Sequence, residues 1–239
     1  MIEPTLRVER GLWRAGARRV AGVDEVGMAC LAGPVVAGAV VVRPNCRMIA
    51  GVRDSKTLSL SQRERLFSRI LARALAVGVG AATVAEIDQL NILRASHLAM
   101  RRALRRVQPY DHALIDGREI RDVDLGPHTA IVDGDATSYA IACASIVAKV
   151  LRDRLMVRLA RRYPYYGWDE NVGYPTRRHR EGLSVHGVTP LHRRSFGSVR
   201  LLLQPQSQLA LDLLAPPVGD GMGAAGQADG ATGPALAAS

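Results

Sequence analysis

Three apolar segments of this 239-residue chain run into acidic side chains, and these acids are the residues best suited to chemistry. They are Asp24, Glu25, Asp116 and Asp135, each with a glycine close by. A single Asp beside a glycine is more often a turn residue that hydrogen-bonds the local backbone. Four acids at strand ends of one sheet would converge, and converging carboxylates repel one another unless protons or cations compensate them. The pattern therefore favours a cation site.

The chemistry of such a site follows from its ligands. Carboxylate oxygens are hard ligands that select Mg²⁺ or Mn²⁺, and two such ions can clamp a phosphodiester for hydrolysis. With 32 Lys and Arg against 22 Asp and Glu, the chain has a net charge of +10. This balance favours a polyanionic partner, nucleic acid before an anionic membrane, although an Arg-rich genome produces the same composition.

The remaining composition points to a cytoplasmic protein. The three cysteines, Cys30, Cys46 and Cys143, lie far apart and form no metal or disulfide motif. Residues 1–19 are charged and do not resemble a signal peptide. The longest apolar run, Val35–Val42, is far too short to span a membrane, so we expect no membrane association.

The elements that must position the acids follow an α/β pattern. Strands are predicted at residues 21–26, 35–42, 77–82, 113–115 and 129–132, the first two as a hairpin-like pair. Helices are predicted at 8–15, 60–74, 92–106 and 139–161, with shorter ones after Thr83 and from Thr176 to about 184. His97, within the second long helix, is expected to be a packed or rim residue.

The motifs around the acids resemble those of bacterial ribonuclease HII over nearly the whole ordered length. The matching segments are Gly-Val-Asp-Glu-Val-Gly (22–27), Asp-Ser-Lys-Thr-Leu-Ser (54–59), Asn-Ile-Leu (91–93), Leu-Ile-Asp-Gly (114–117), Gly-Asp (134–135), Ala-Ser-Ile-Val-Ala-Lys-Val-Leu-Arg-Asp (144–153), Gly-Tyr-Pro-Thr (173–176) and His-Arg-Arg-Ser-Phe (192–196). The resemblance implies a ribonuclease-H-like mixed sheet flanked by helices, with a small helical C-terminal extension. It divides the chain into a lead-in (1–19), a catalytic domain (20–203) and a disordered tail (204–239).

The family's activity is implied with its fold. The resemblance implies a metal-dependent endonuclease that cuts RNA in RNA–DNA hybrids and cuts 5′ to a single ribonucleotide in duplex DNA. The products would carry 5′-phosphate and 3′-hydroxyl ends, and the protein would be a monomer. Asp24, Glu25, Asp116 and Asp135 match the family's metal-binding acids, with Asp24 bridging both ions.

Further positions match the family's nucleic-acid contacts. Tyr174 matches a tyrosine that packs on the sugar beside the junction, and Lys56 matches a phosphate-contacting lysine; a loop-closing aromatic and a solvated turn charge are the alternatives. The family's Gly-Arg-Gly segment, which reads the ribose 2′-hydroxyl, appears here as Gly27, Met28 and Ala29, so a cation is lost and a methyl is gained. Ser145 and Lys149 are four apart on one helix, and we expect them to serve packing and phosphate-side charge, with no catalytic part.

Two features of the sequence admit more than one interpretation. Residues 208–213, Gln-Leu-Ala-Leu-Asp-Leu beginning at Gln208, resemble the peptide that docks on bacterial sliding clamps, but a last helical turn packed on the body explains them as well. The chain could also be a basic binding protein that has lost catalysis, or a junction resolvase of the same fold. The four acids oppose the first of these rivals, since a binding module gains nothing from clustered negative charge facing phosphates.

Overall fold

The computed structural model describes residues 3–121 and 124–203, which belong to the first of two units of the chain, Met1–Gln204. The predicted tail from residue 204 and its 208–213 segment lie outside the described residues. No helix of the described part is long and apolar enough to cross a membrane.

A mixed sheet of five strands forms the centre of the described fold, in the order β3-β2-β1-β4-β5. The strands are β1 (Val20–Val26), β2 (Val35–Val42), β3 (Ala76–Ala82), β4 (His112–Asp116) and β5 (His128–Ile131). β2 pairs antiparallel with β1 and β3, which confirms the predicted hairpin, and β4 runs parallel to β1 and β5. Strand β1 agrees with the predicted strand at residues 21–26 within one residue, so its two acids lie one and two positions before its end.

Helices cover both faces of this sheet. They are α1 (Arg7–Arg14), α2 (Leu60–Arg73), α3 (Val84–Leu90), α4 (Ile92–Arg105), α5 (Gly134–Thr137), α6 (Tyr139–Ala160), α7 (Trp168–Asn171), α8 (Arg177–His186) and α9 (Gly197–Leu202). Ser59 and Thr83 each close a capping box at the start of α2 and α3, with Gln62 and Glu86 as the reciprocal partners. These caps explain why the sequence marks both helix starts so clearly.

Two buried clusters hold the layers together. On one face, α4 packs Met100 and Leu104 against alternate strand residues such as Val23. On the other face, α6 packs Ile146 and Val147 with residues of α2. Helix α6 crosses β1 and β2 closely because Gly22 and Gly38 lack side chains; a Cβ at either position would overlap the backbone of α6. This contact sets α6 directly beside the acids of β1.

Helices α7 to α9 form the small C-terminal extension. Trp168 is fully buried there, together with Leu183 and Val199, and the same cluster includes Leu31 from the loop after β1 and Met156 from α6. The extension is therefore packed onto the loop that leaves the first strand.

Candidate active site

Four acidic side chains lie near one another beside the carboxyl ends of β1 and β4. We call Asp24, Glu25, Asp116 and Asp135 the acidic cluster. The parallel pairing of Val23 with Ile115 makes two of these acids the next residues of neighbouring strands. The Gly134 amide donates to Asp116 Oδ1 at 2.7 Å and so ties α5 to β4. The structure thus brings together the four acids that the sequence predicts.

The fourth acid reaches the cluster by a different route from the predicted one. The sequence pattern places Asp135 at a strand end, whereas β5 already ends at Ile131 and Asp135 is the second residue of α5. Asp133 turns the chain between them in a left-handed conformation, with φ of 52°. This turn directs α5 back over the sheet and carries Asp135 toward Asp116.

The acidic cluster is electrostatically strained. Burial, and then the charges of Glu25, Asp116 and Asp135, raise the pKa of Asp24 well above its ordinary value. Burial followed by the Asp116 charge raises the pKa of Glu25 to about 7. Burial and the Asp116 charge also raise the pKa of Asp135. Among the described residues, none of the four acids forms an ion pair with Lys, Arg or His.

This strain is the kind that a divalent cation relieves. Every candidate ligand is a carboxylate, the donor type that Mg²⁺ and Mn²⁺ prefer. Within residues 3–121 and 124–203, no three His, Cys, Asp or Glu side chains already form a group that could hold an ion. The carboxylates converge by position and charge, and they would have to draw closer around an ion. The residues fit a metal site by donor type and excess negative charge.

Two serines are linked to Asp24 by hydrogen bonds. The Ser145 hydroxyl hydrogen-bonds Asp24 and acts to lower its pKa, against the stronger effect of burial. Ser145 Oγ also lies 3.0 Å from Ser55 Oγ, and both serines are buried. The expectation that Ser145 serves packing alone is therefore incomplete, because its hydroxyl orients a member of the acidic cluster.

Lys56 stands at the open side of the cluster. It lies in the turn Ser55–Thr57, which the Asp54 carboxylate caps by accepting from the Lys56 amide at 2.9 Å. Burial acts to lower the pKa of Lys56, but the charges of Asp54, Asp135 and Asp24 raise it overall. The side chain is exposed, so the ammonium group can meet a phosphate next to the acids.

Tyr174 is half-buried on the loop between α7 and α8. The Lys149 ammonium lies 5.8 Å from its ring centroid and forms an ion pair with Asp153 at 2.8 Å. His179 Nδ1 lies 2.9 Å from the Tyr174 carbonyl and holds the backbone. Lys149 is thus paired and packed against the tyrosine.

Two fully buried arginines hold the loop that carries Gly27, Met28 and Ala29. Arg193 donates to the carbonyls of Met28 and Gly33 at 3.1 and 3.0 Å. Arg152 donates to the carbonyls of Ala32, Pro34 and Val172 at distances from 2.8 to 3.1 Å. The last of these carbonyls belongs to the Tyr174 loop, so Arg152 joins the two loops.

The backbone conformations of both loops explain why the hydrogen bonds from Arg152 and Arg193 are needed. Gly27 has a φ of 98°, and a Cβ there would overlap the Arg152 guanidinium. Val172 has a φ of 44°, a strained conformation for a β-branched residue. Ala29 is exposed and has no positive φ, so its extra methyl strains nothing. Both arginines lie in segments that match the family, 144–153 and 192–196, but their roles could not be predicted because they depend on backbone carbonyl groups of distant loops.

A cavity of about 360 Å³ opens beside the acidic cluster. It is lined by Glu25 and Asp116 and by Met28, Met100 and His97, among others. His97 is thus a rim residue of this cavity, as predicted. The Met28 side chain lines this cavity together with Glu25 and Asp116, so a longer, positively charged side chain at position 28 would lie close to both acids.

Similarity to known proteins is extensive. The family model described as Ribonuclease HII matches residues 21–199. A Ribonuclease HII from Thermosynechococcus vestitus is 56% identical over 209 residues, which cover 87% of this chain and 97% of that protein. A Ribonuclease HII from Geobacillus kaustophilus is 46% identical over 208 residues, covering 87% of this chain and 79% of that one.

Solved structures share the fold. The ribonuclease H2 of Pyrococcus horikoshii aligns with a TM-score of 0.59 and 28% identity, over 77% of this chain and 96% of that one. The PCNA:RNase HII complex from Archaeoglobus fulgidus aligns with a TM-score of 0.64 and 25% identity, over 73% and 93%. Bst-RNase HIII in complex with Mn²⁺ has the same fold at 19% identity and a TM-score of 0.61, over 79% of this chain and 70% of that one.

Proposed function

The chain belongs to the ribonuclease HII family, and we propose that its acidic cluster is the metal-binding catalytic centre. As a member of that family it is a divalent-metal-dependent endonuclease that cleaves RNA in RNA–DNA hybrids and cuts 5′ to single ribonucleotides in duplex DNA. The observation that carries the site proposal is the convergence of four carboxylates, of which Asp24 is buried. Burial and mutual repulsion raise the pKa values of Asp24, Glu25 and Asp135.

Each residue contributes a distinct task. When bound, two Mg²⁺ or Mn²⁺ ions supply an activated water and stabilise the departing 3′ oxygen, leaving 5′-phosphate and 3′-hydroxyl ends. Asp24, which accepts a hydrogen bond from Ser145, would contribute carboxylate oxygens to both ions. Lys56 holds a phosphate next to the acids. In this scheme the metal ions activate the water, so no side chain has to act as a general base.

The two loops that Arg152 and Arg193 hold are assigned to ribose recognition. We assign contact with the 2′-hydroxyl to the backbone of Gly27, Met28 and Ala29, and contact with the neighbouring sugar to the Tyr174 ring. Arg152 fixes the separation of the two loops, so the absence of the family's arginine at position 28 leaves the backbone reader intact. The rival, a binding protein without catalysis, would require the acids themselves to be disrupted.

The test is cleavage of three duplexes with Mg²⁺ or Mn²⁺: all-DNA, DNA with one ribonucleotide, and a long hybrid. Asp116→Asn should abolish cutting of both ribonucleotide substrates while binding persists, because one metal-binding oxygen is replaced by an amide. Asp133→Asn is the matched control, since Asp133 is exposed, close in sequence and in a conformation that Asn tolerates. An active Asp116→Asn protein would overturn the metal assignment.

A clamp interaction is proposed separately. Residues 208–213, outside the described part, resemble a clamp-docking peptide, and the Archaeoglobus relative forms a complex with PCNA. We expect deletion of residues 206–239 to remove binding to a sliding clamp and to leave cleavage of a short hybrid unchanged. Undiminished clamp binding by the shortened chain excludes the motif. The same proteins, run on a sizing column, should elute as monomers.

A further inference from the structure

A positively charged surface lies at the opposite end of the sheet from the acidic cluster. We call it the rear patch, and it consists of Arg10, Trp13, Arg14, Arg43, Arg47 and Arg73. It surrounds the point where β1 begins and β2 ends, since Val20 pairs with Val42. The offset along β1 from Val20 to Asp24 is about 13 Å at the usual rise per residue. The rear patch and the acidic cluster therefore lie near opposite ends of β1.

The arginines of the rear patch form one continuous surface. Arg10, Trp13 and Arg14 line a cavity of about 370 Å³ with Pro44 and Asn45. A smaller cleft directly beyond that turn is lined by Arg43, Arg47 and Arg73, among others. The turn at residues 43–47 therefore joins the two basic groups.

These charges are not neutralised by the described fold. All five arginines are exposed, and none forms an ion pair among the described residues. The nearest acid on the same helix, Glu9, is fully buried and accepts hydrogen bonds from Ser138 Oγ at 2.7 Å and the Ala140 amide at 2.8 Å. Burial also raises the pKa of Glu9, which weakens it as a counter-charge.

Helix α1 presents these groups on a fixed base. Glu9 anchors the helix to the start of α6, and the Thr5 amide and carbonyl bond to Thr137 and Tyr139 at 3.0 Å. An anchored helix loses little conformational entropy when a ligand binds to it. The rear patch is therefore preorganised for binding.

The shape and chemistry of the patch identify its partner. Arginines attract phosphates. The half-buried Trp13 ring packs against the core and also lines the cavity, and the part of the ring that faces the cavity is a stacking surface for an unpaired base. A duplex keeps its bases stacked inside, so it offers phosphates to the arginines but no unpaired base to the Trp13 ring. We propose that the rear patch binds single-stranded polynucleotide, such as the strand displaced beside a hybrid, while the acidic cluster faces the segment being cut.

The test uses the full chain, first saturated with a short all-DNA duplex to occupy the cleaving face. A labelled 12-nucleotide oligodeoxythymidine is then titrated and followed by anisotropy. Arg10→Gln/Arg14→Gln should weaken its binding about five- to tenfold and flatten the slope of log Kd against log salt by about 1.4, for two lost phosphate contacts. Arg105→Gln/Arg106→Gln, with the same loss of charge at exposed helix positions, should change binding less than twofold.

Two further measurements make the result decisive. Bound oligonucleotide should quench tryptophan fluorescence in the parent protein but not in Trp13→Phe, because Trp168 is fully buried. Cleavage of a short hybrid should be unchanged in Arg10→Gln/Arg14→Gln, which separates this proposal from that for the acidic cluster. Complete competition by the duplex, equal losses in both double variants, or a selective loss of binding to phosphatidylserine vesicles would each overturn it.

Discussion

At the scale of single residues, Asp24 shows how a site can oppose the stability of its own fold. The side chain is buried, and burial and neighbouring charges raise its pKa. A carboxyl with a raised pKa costs stability as the pH rises above the unfolded-state value, because its charged form is disfavoured in the folded protein. The Asp24 carboxyl group therefore lowers the stability of the metal-free protein at neutral pH compared with a side chain that cannot ionise.

Asp24→Asn should accordingly stabilise the metal-free protein at pH 7 by about 1 kcal/mol or more, while abolishing cleavage. The Asn carbonyl oxygen can still accept the Glu25 amide, which donates to Asp24 Oδ1 at 2.7 Å in the parent. Thermal melts with EDTA and with Mg²⁺ provide the measurement: Mg²⁺ should raise the melting temperature of the parent and of Asp133→Asn, but not of Asp24→Asn. A less stable metal-free Asp24→Asn protein would contradict this account.

Met28 is the residue that departs from the family pattern at the ribose-reading loop. Its carbonyl is held by Arg193 and its side chain lines the cavity beside Glu25 and Asp116. Met28→Arg should lower KM for a duplex with one ribonucleotide about three- to tenfold, since one phosphate contact is added. kcat should change little. Met28→Gln, similar in length and uncharged, is the control, and an unchanged KM in Met28→Arg would show that the lost cation has no part in affinity.

At the scale of elements, a neutral histidine pair joins α8 to the loop before α9. His179 Nε2 accepts from Trp168 Nε1 at 3.1 Å and lies 3.0 Å from His192 Nε2, whose Nδ1 accepts from the Thr189 amide. Burial lowers the pKa of both rings, that of His192 to about 3. Protonation of either ring would break this chain of bonds, which also fixes the Tyr174 carbonyl.

The pair predicts acid sensitivity with a definite sign. Below pH 6.5 the histidines of the unfolded chain bind protons, whereas the folded pair stays neutral. The free energy of unfolding should therefore decrease as the pH is lowered, by up to about 1.4 kcal/mol per pH unit for each ring. His192→Gln keeps a donor and an acceptor but cannot titrate, so its unfolding energy should fall less steeply between pH 6.5 and 5. His186→Gln, at an exposed position, should follow the parent. Parallel curves for all three proteins in urea titrations would rule out the pair as the cause.

Elements were predictable where periodicity or chemistry marks them. The strands around the acids and the helices α2, α4 and α6 agree with the sequence pattern within about two residues, because apolar spacing and caps such as Ser59 are local signals. The short helix α5 has no such signal. Its position depends on a hydrogen bond between Gly134 and Asp116, which are 18 residues apart. The role of Arg152 could not be predicted for the same reason, because its carbonyl partners belong to loops that are distant in sequence.

At the scale of the whole molecule, the net charge of +10 is divided among surfaces with different tasks. The acidic cluster repels phosphates unless metal ions and nearby cations such as Lys56 compensate it. The rear patch and the arginines at the end of α4 lie elsewhere. Added salt should therefore weaken cleavage mainly by screening the few cationic side chains beside the acids. The net charge of the protein alone should not predict the salt dependence of kcat/KM.

This distinction can be measured from kcat/KM on a short hybrid over a range of KCl concentrations. Lys56→Gln removes one charge and should flatten the slope of log kcat/KM against log salt by about 0.7 to 0.9, the effect of one phosphate contact. Arg105→Gln/Arg106→Gln removes two charges and should leave the slope unchanged, because those residues end α4 away from the acidic cluster. If the slope followed the number of charges removed, the whole-molecule field would govern the encounter, and Lys56 would have no special place in it.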